Sequence, residues 1–541
     1  MKRVLLFWMG CCCAAIALAT PPKPKLVVGL VVEQMRWDYL YRFYDRYTAK
    51  QGFKHLLSQG FACQNTQIPY ANTVGAAGHA SVYTGAVPAV HGITGIEWLK
   101  QPQQTPIYCT QDDTEKTIGA SNSSGQMSPR QLQVTTFADE LKLGTNFRSK
   151  VVSIALKDKG AIFPGGHRAN AAYWFDDGTG NWVSSSYYMS ELPAWAAAFN
   201  AKQLANGYYK QGWNTLYPIN TYVQSTPDNQ PYESNVFGTG AAFPYNFDKF
   251  IDKNFNAILS TPHGSSLTFD MARAAIEGEG LGGDSIPDFL GISLSSPDYI
   301  GHAFGPNSVE VEDGFLRLDQ SLSDFLQYLD SKLGKDAYLL MLTADHGVAH
   351  VPAFFKEQHI PAGSLNLEAM VANANNWLKE KTGTANLVST ISNYQVYLNA
   401  GAVINSRTKE PELIKAVVDY FQQQPGIYRA IPLDAATSTT LNDHIKQMVV
   451  NSYYPLRSGA VQLLLQPHWI NGFEARGTTN GAWSGYDAHV PLLWYGWAIK
   501  PGQSYASYAT TDIAPTLCAL LQLQMPSASM GQPILNVIPK P

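Results

Sequence analysis

Residues 25–33 read KLVVGLVVE, an apolar run that stops at a carboxylate. Four further runs have the same character: residues 150–156 (KVVSIAL), 288–294 (DFLGISL), 337–343 (AYLLMLT) and 490–495 (VPLLWY). Runs rich in Val, Ile and Leu without polar alternation are typical of strands that helices cover on both faces. Helical periodicity between the runs, as over residues 129–143 and 309–333, predicts helices above and below the sheet. The sequence therefore predicts an α/β fold, namely a three-layer α/β/α sandwich with a large central, mostly parallel sheet.

Four of these five runs lead into side chains that can bind a ligand. Glu33 and Lys157 directly follow two of the runs, Asp298 comes four residues after a third, and Asp345-His346 closely follow a fourth. In open α/β sheets the ligand crevice lies beyond the carboxyl ends of the strands. We therefore expect the functional site at that edge of the sheet.

The acids and imidazoles among these residues predict a metal site. Asp298 and His302 are four residues apart, so one helical turn would place both on the same side. Asp345-His346 form a second such pair, and Glu33 stands at a third strand end. Carboxylate oxygen and imidazole nitrogen are ligands that zinc prefers in hydrolytic sites. A lone Asp or His more often caps a helix, and only the repeated pairing favours a metal.

Two lysines add a binding function to the same edge. Lys157 and Lys159 follow the run at 150–156, and a lysine ammonium is a compact charge suited to a phosphate oxygen. They are the predicted substrate-binding residues. A solvated loop is the alternative for Lys159 taken alone.

Composition limits the class of protein. The chain has 541 residues, a net charge of −4, 45% hydrophobic and 15% charged residues, which is typical of a globular protein. This charge balance argues against a nucleic-acid partner and against a polybasic membrane patch.

The first residues resemble a secretory signal. Residues 1–19 combine Lys2-Arg3, an apolar segment from residue 4 to 18 and a small-residue cleavage site at residues 17–19. The run is short for a membrane span and Pro21-Pro22 ends it. We therefore predict export to the periplasm or cell envelope without a stable membrane span; a lipoprotein site at Cys11 is the alternative.

Residues 24–541 are predicted to form one α/β domain with two insertions. Residues from about 167 to 250 are crowded with Tyr, Trp, Asn and Gly and would form an aromatic cap. Residues from about 385 to 475 show a β-α-β pattern and would form a small subdomain. Outside the leader, Cys518 is predicted to be a buried thiol, and Cys63 with Cys109 is the candidate pair for any disulfide.

The chain resembles the alkaline phosphatase superfamily, and within it the bacterial phosphate-irrepressible alkaline phosphatases that use a threonine nucleophile. The segments that carry the resemblance keep the family's order from residue 27 to 521: VVGLVVEQMRWDYL, GHASVYTGAVPAVHGITG, ALKDKGAIFPGGH, SPDYIGHAFGPNS, TADHG, GTTNGAWSGYDAHVPLLWYGW and TDIAPTLCALL.

This resemblance implies a site with two zinc ions for phosphoryl transfer. One ion would be held by Glu33, Asp345 and His346, and the other by Asp298, His302 and a third ligand in the segment around residue 480. A threonine between the ions would attack phosphorus, since two metals can activate a nucleophile and stabilise the leaving oxygen.

The sequence departs from the family pattern at five positions. Gly75 stands at the nucleophile position, Ile96 at that of a phosphate-binding asparagine, and Asn480 at that of a metal-binding histidine. Glu33 replaces aspartate and Lys159 replaces arginine, and both keep the charge of the family residue. Thr73 is the nearest hydroxyl to position 75, but two residues of extended chain would displace it by roughly 7 Å.

Three functions follow from these departures. The first is an impaired phosphatase that binds a metal or a phosphorylated small molecule, with no intact catalytic residue. The second is an active zinc-dependent phosphatase or phosphodiesterase in which a metal-bound hydroxide replaces the threonine. The third is a structural or adhesive envelope protein.

Overall fold

The computed structural model describes residues 23–472 and 476–539. The predicted signal peptide and Cys11 lie outside these ranges. The strands are β1 Leu26–Val32, β2 Phe61–Gln67, β3 Glu97–Lys100, β4 Thr105–Tyr108, β5 Thr117–Ile118, β6 Val151–Ala155, β7 Ala171–Asp176, β8 Asn181–Ser185, β9 Asp288–Leu294, β10 Tyr338–Thr343, β11 Gly363–Leu365, β12 Val388–Ser392, β13 Gln395–Leu398, β14 Ile427–Pro432, β15 Val461–Leu465, β16 Trp469–Asn471, β17 His489–Val490, β18 Leu492–Gly496 and β19 Gly502–Ala509.

The α-helices are α1 Tyr39–Arg42, α2 Phe53–Gln59, α3 Gly75–Thr84, α4 Pro88–His91, α5 Phe137–Gly144, α6 Asp158–Gly165, α7 Ala194–Asn200, α8 Leu204–Tyr209, α9 Pro262–Glu279, α10 Ser296–Phe304, α11 Val309–Leu333, α12 Pro352–Glu357, α13 Leu367–Thr382, α14 Ala400–Ile404, α15 Glu410–Phe421, α16 Asp443–Ser452, α17 Gly485–Ala488 and α18 Ile513–Leu521. None of these helices is both long and apolar enough to cross a membrane.

Eleven strands form the central sheet, in the order β17-β2-β18-β10-β1-β9-β6-β7-β8-β5 with β19 also paired to β2. The middle of the sheet is parallel: β10, β1, β9, β6 and β7 follow one another in the same direction. Antiparallel strands flank this block on both sides. The predicted α/β fold with a large, mostly parallel sheet is confirmed.

The buried strands divide their side chains between two helical layers. In β1, Leu26, Val28 and Leu30 belong to one apolar cluster, while Val27 and Val31 belong to another. The first cluster includes α9 and α11, and the second includes α5 and α18. Since successive side chains of a strand point to opposite faces, this division gives the predicted three layers.

The register of the parallel strands brings their carboxyl ends together. Ser293 of β9 lies opposite Val31 of β1 and Ala155 of β6, and Thr343 of β10 also lies opposite Val31. The residues that follow these four strands therefore meet at one edge of the sheet, as the runs of the sequence predicted.

The helix predicted over 129–143 is shorter than the periodicity suggested. Residues 129–131 form a single 3-10 turn, and α5 begins only at Phe137. Thr136 accepts a hydrogen bond from the backbone of Asp139, whose side chain accepts one in return from the backbone N–H of Thr136. This capping box fixes the start of the helix, whereas the helix predicted over 309–333 has those bounds.

The two predicted insertions differ in how they relate to the sheet. The stretch 167–250 begins with β7 and β8, which belong to the central sheet. The sequence of β7, AAYWFD, is as rich in aromatic residues as the segment that follows it. The stretch 385–475 contains a separate sheet in the order β12-β13-β15-β14, so the strands on either side of α15 are not neighbours.

Asp313 of α11 anchors the aromatic segment that follows α8. Its buried carboxylate accepts hydrogen bonds from Trp213 Nε1 (2.7 Å), the Leu216 backbone N–H (2.6 Å) and the Tyr222 hydroxyl (2.5 Å). Arg317 donates to the same carboxylate from one turn along the helix at 2.7 Å. One buried side chain therefore satisfies donors from three points of the segment.

We expect Asp313→Ala to release this segment from the helix. The substitution leaves buried donors without acceptors, and each such loss costs about 1–3 kcal/mol. Limited proteolysis should cleave between residues 213 and 250 faster than in the wild-type protein, while Asp324→Ala on the same helix serves as the control. Equal cleavage rates would contradict the anchoring role.

The three cysteines among the described residues are buried free thiols. Cys63 lies on β2 in the cluster around α18, and Cys109 follows β4 in a different apolar cluster. The candidate pair Cys63–Cys109 is therefore not formed, because the two thiols belong to separate parts of the core.

Candidate active site

The carboxyl edge of the sheet brings the predicted site residues together. Glu33 follows β1, Lys157 caps the start of α6, and Asp345 and His346 follow β10. Asp298 and His302 lie on α10, one turn apart. All of these side chains except those of Lys157 and His302 are almost fully buried.

Lys157 joins two of the predicted metal ligands. Its ammonium donates a 2.7 Å hydrogen bond to Glu33 Oε2 and a further hydrogen bond to Asp298 Oδ2. The other oxygen of Glu33 accepts hydrogen bonds from Ser293 Oγ at 2.8 Å and Ser295 Oγ at 2.6 Å. Both oxygens of Glu33 are therefore engaged by the protein itself.

The charges in this group stabilise one another. Burial alone would raise the pKa of Glu33, but Lys157 and His79 lower it to about 2. Burial would likewise lower the pKa of Lys157, yet Asp298 and Glu33 raise it well above its usual range. The lysine is therefore an ammonium ion between two carboxylates at any physiological pH.

Asp298 is also surrounded by donors. His302 Nε2 lies 3.1 Å from Asp298 Oδ1, and Gln34 Nε2 donates to the same oxygen at 2.6 Å. His302 Nδ1 donates to the Thr478 carbonyl at 2.9 Å. Although burial lowers the pKa of His302, Asp298 raises it above the ordinary value. Lys157, Gln34 and His302 thus occupy both oxygens of Asp298.

Asp345 and His346 are less completely engaged. Asp345 Oδ1 accepts hydrogen bonds from the backbone N–H groups of Gln34 and His346, each at 3.0 Å. Asp345 Oδ2 is buried and has no hydrogen-bond partner among the described residues. His346 donates from Nδ1 to the Gly347 carbonyl at 2.8 Å, and its Nε2 lies 3.4 Å from Asp345 Oδ2.

Gly75, in the first turn of α3, faces Asp345 Oδ2 and His346 Nε2. A Cβ atom added to Gly75 would lie 3.0 Å from Asp345 Oδ2, 3.6 Å from Lys159 Cε and 3.7 Å from His346 Nε2. A side chain at position 75 would therefore point into the site, between the acid, the imidazole and the second lysine.

Thr73 and the altered positions Asn480 and Ile96 point elsewhere. Thr73 is buried, and its hydroxyl donates to the Ala482 carbonyl at 2.6 Å. Asn480 donates from its amide to the Thr73 carbonyl at 2.8 Å. Ile96 is 37% exposed at the start of the β3–β4 hairpin. None of the three makes a side-chain hydrogen bond with Lys157 or Asp298 among the described residues.

These contacts decide how the residues fit the two zinc ions that the family resemblance implies. In the set implied for one ion, both oxygens of Asp298 have protein donors and the amide nitrogen of Asn480 donates to the backbone, so this set does not fit a metal. In the other set, both oxygens of Glu33 are engaged in the same way. Asp345 Oδ2 and His346 Nε2 retain free lone pairs, which would leave two protein ligands for one ion. Within residues 23–472 and 476–539, no three His, Cys, Asp or Glu side chains are arranged to hold a metal ion.

Several residues of the site were not predicted from the sequence. Gln34 contacts both Asp298 and Asp345 from a left-handed backbone conformation with φ of 64°. His79 lies between Ser293 Oγ, 2.8 Å from its Nε2, and the Gly75 carbonyl. The ring of Tyr299 lies 4.5 Å from Lys157 Nζ. Their only sequence signal is proximity to a strand end or to the Gly75 segment.

Comparison with known proteins gives the family. The model of the type I phosphodiesterase / nucleotide pyrophosphatase family matches residues 27–487. The chain is 46% identical over 520 residues to alkaline phosphatase PhoV of Synechococcus elongatus, covering 96% of this chain and 94% of that protein. It is 44% identical over 521 residues to alkaline phosphatase PafA of Elizabethkingia meningoseptica, covering 96% and 95%.

A solved structure has the same architecture. The crystal structure of wild-type alkaline phosphatase PafA matches with a TM-score of 0.94 and 43% identity, covering 96% of this chain and all of that one. The chain therefore belongs to the type I phosphodiesterase / nucleotide pyrophosphatase family of the alkaline phosphatase superfamily, beside the PafA and PhoV alkaline phosphatases.

Proposed function

We propose that this protein binds phosphate-bearing small molecules at the candidate active site and has lost the two-metal hydrolysis implied by its family. The observation that carries the proposal is the position of Lys157, whose ammonium pairs with both Glu33 and Asp298. The ammonium of Lys157 thus balances the negative charge of these two carboxylates, which a metal ion would otherwise balance.

The chemistry at position 75 supports the same function. Glycine has no side chain that could attack phosphorus, and the hydroxyl of Thr73 is bound to a carbonyl. Loss of a nucleophile or its activator lowers hydrolase rates by roughly 10⁴ to 10⁶. A protein without a nucleophile at position 75 and without a free hydroxyl at Thr73 would retain ligand binding much better than turnover.

Lys159 supplies the group that would hold the anion. The residue is 8% exposed, and its ammonium makes no hydrogen bond or ion pair with any residue in the described part of the chain. A buried cation without a partner is unfavourable, so a ligand oxyanion beside it would be stabilised. Its Cε lies next to position 75, where the family resemblance implies the nucleophile that attacks phosphorus.

We expect Lys159→Ala to weaken phosphate binding by about tenfold or more, since a charge-assisted hydrogen bond contributes about 1.5–3 kcal/mol. Calorimetric titration with inorganic phosphate and phenyl phosphate measures the loss. Lys335→Ala, which removes an exposed lysine, is the control and should bind as the wild type does.

The same preparations test the loss of hydrolysis. With zinc added, the wild-type protein should hydrolyse aryl phosphate monoesters and diesters no faster than His346→Ala does. Zinc-dependent turnover that His346→Ala abolishes would overturn the proposal. Equal phosphate binding by Lys159→Ala and the wild type would overturn the role of Lys159.

A second candidate is a residual single-metal phosphatase or phosphodiesterase. The observation in its favour is Asp345 Oδ2, a buried oxygen without a hydrogen-bond partner beside His346 Nε2. We propose that zinc binding by this chain is confined to these two residues. Stoichiometric zinc retention lost in Asp345→Asn, together with turnover, would favour this candidate over the first.

We also propose that the protein acts in the periplasm or cell envelope. The support is the signal-like composition of residues 1–19. Fractionation of cells that produce the full chain tests it, and a cytoplasmic product of full length would contradict it.

A further inference from the structure

A polar cavity lies at the end of the central sheet opposite the candidate active site. It has a volume of about 590 Å³ and is lined by residues that include Arg130, Lys142, Phe147, Arg168, Tyr187 and Tyr188. Arg168 precedes β7, whose first residue pairs with the beginning of β6. Tyr187 follows the antiparallel strand β8, which terminates at that end of the sheet. The cavity is therefore at the amino ends of these parallel strands, away from the candidate active site.

Two cations of this cavity lack an acidic partner. Lys142 is only 6% exposed, yet its ammonium donates to a neutral group, Asn170 Oδ1, at 2.6 Å. The guanidinium of Arg168 makes no hydrogen bond or ion pair with any residue in the described ranges, and it lies 5.7 Å from the ring of Phe147. Arg168 is an exposed residue, and burial together with the nearby charge of Arg168 lowers the pKa of Lys142. An anion beside these two cations would therefore be stabilised.

The other charges of the cavity are already balanced. Arg130 pairs with Asp112 and, at 2.7 Å, with Glu115. His167 lies 3.2 Å from Asp139, and this hydrogen bond raises the pKa of His167 although burial opposes the rise. The excess positive charge therefore rests on Lys142 and Arg168.

The walls of the cavity suit an organic ligand. Phe147 is half exposed and has φ of 60°, a left-handed conformation that costs a bulky residue about 1–2 kcal/mol and sets its ring beside Arg168. The ring of Tyr187 packs edge-on against Tyr188 at 5.0 Å. The hydroxyl of Tyr188 is buried and has no hydrogen-bond partner among the described residues. Unsatisfied buried polar groups are rare in folded proteins, and each calls for an explanation.

We propose that this cavity binds a small organic anion, with Lys142 and Arg168 holding its carboxylate or phosphate group and the aromatic residues contacting its body. Its volume lies in the range of about 300–1,000 Å³ that is typical of small-molecule sites, which exceeds the needs of an inorganic ion. Charge-assisted hydrogen bonds to an oxyanion are the strong kind. This inference does not depend on the function proposed for the candidate active site.

Binding of benzoate tests the proposal, with two comparison probes. Benzamide has the same ring without the charge, and inorganic phosphate has the charge without the ring. We expect benzoate to bind the full chain at least about tenfold more tightly than benzamide, since the charged contacts dominate. Arg168→Ala and Lys142→Met should each weaken benzoate binding by about tenfold to a hundredfold.

Matched variants separate this site from the other features of the chain. Arg429→Ala removes a guanidinium that lies 5.1 Å from an exposed tyrosine ring outside the cavity, and it should leave benzoate binding unchanged. Lys159→Ala should also leave it unchanged, whereas Arg168→Lys should retain part of it. The proposal is overturned by the absence of saturable benzoate binding, by equal binding in the Arg168→Ala/Lys142→Met double variant, or by tighter binding of phosphate at this cavity than of benzoate.

Discussion

The combined variant Gly75→Thr, Ile96→Asn, Asn480→His is expected to hydrolyse phosphate monoesters with zinc at least about 10⁴-fold faster than the wild-type chain, because restoring a nucleophile reverses a loss of that size. Gly75 is the first residue of α3 and does not have a positive φ, so threonine can adopt its backbone conformation. The added Cβ would be tight only against a side-chain oxygen, Asp345 Oδ2. The measurement is the initial rate with p-nitrophenyl phosphate.

The expected gain requires Lys157 to release Asp298, since histidine at position 480 can complete a ligand set only with that carboxylate free. The combined variant with Gly75→Ala in place of Gly75→Thr is the matched control, because it restores the other two positions without a hydroxyl. A rate no higher than that of this control would show that loss of hydrolysis extends beyond these three positions.

Lys157→Met is expected to destabilise the protein by about 3–5 kcal/mol, the cost of leaving buried carboxylates without their cation. Glu33 is 1% and Asp298 is 5% exposed, so water cannot replace the lost ammonium. Urea denaturation followed by tryptophan fluorescence measures the change. Zinc should restore part of the lost stability, because the substitution frees oxygens of Glu33 and Asp298 beside His302.

The control for this prediction removes the charges together. In Lys157→Met/Glu33→Gln/Asp298→Asn neither of the two carboxylates that Lys157 pairs with remains, so the triple variant should be more stable than Lys157→Met. A loss below about 1 kcal/mol in Lys157→Met, the size expected of an exposed pair, would contradict the role assigned to the lysine.

The fold could be predicted because its determinants are local. The runs that became β1, β6, β9 and β10 are continuous and apolar, and each is followed by polar residues that mark the edge of the sheet. The order of the strands, by contrast, depends on pairing between segments far apart in sequence. The start of α5 depended on a capping box, which the apolar periodicity did not reveal.

The sequence predicts which residues lie at the site but not the contacts between them. Their positions after strands predict that Glu33, Asp298 and Lys157 lie at one edge of the sheet, and the structure places them there. The metal role of the acids and the substrate role of Lys157 stay predictions. The contact between them depends on the reach of a long side chain and on the adjacency of β1, β9 and β6 in the sheet. Gln34 was missed because its role requires a left-handed backbone conformation that the sequence pattern does not indicate.

Lys157, the cation between Glu33 and Asp298, is covalently part of the chain. This affects the conditions under which the protein stays folded. A metal that balances buried acids leaves when a chelator or a scarce supply lowers its free concentration, and the fold then loses the binding energy. Lys157 cannot dissociate. We therefore expect the centre of this protein to retain its charge balance when zinc is scarce and in the presence of EDTA.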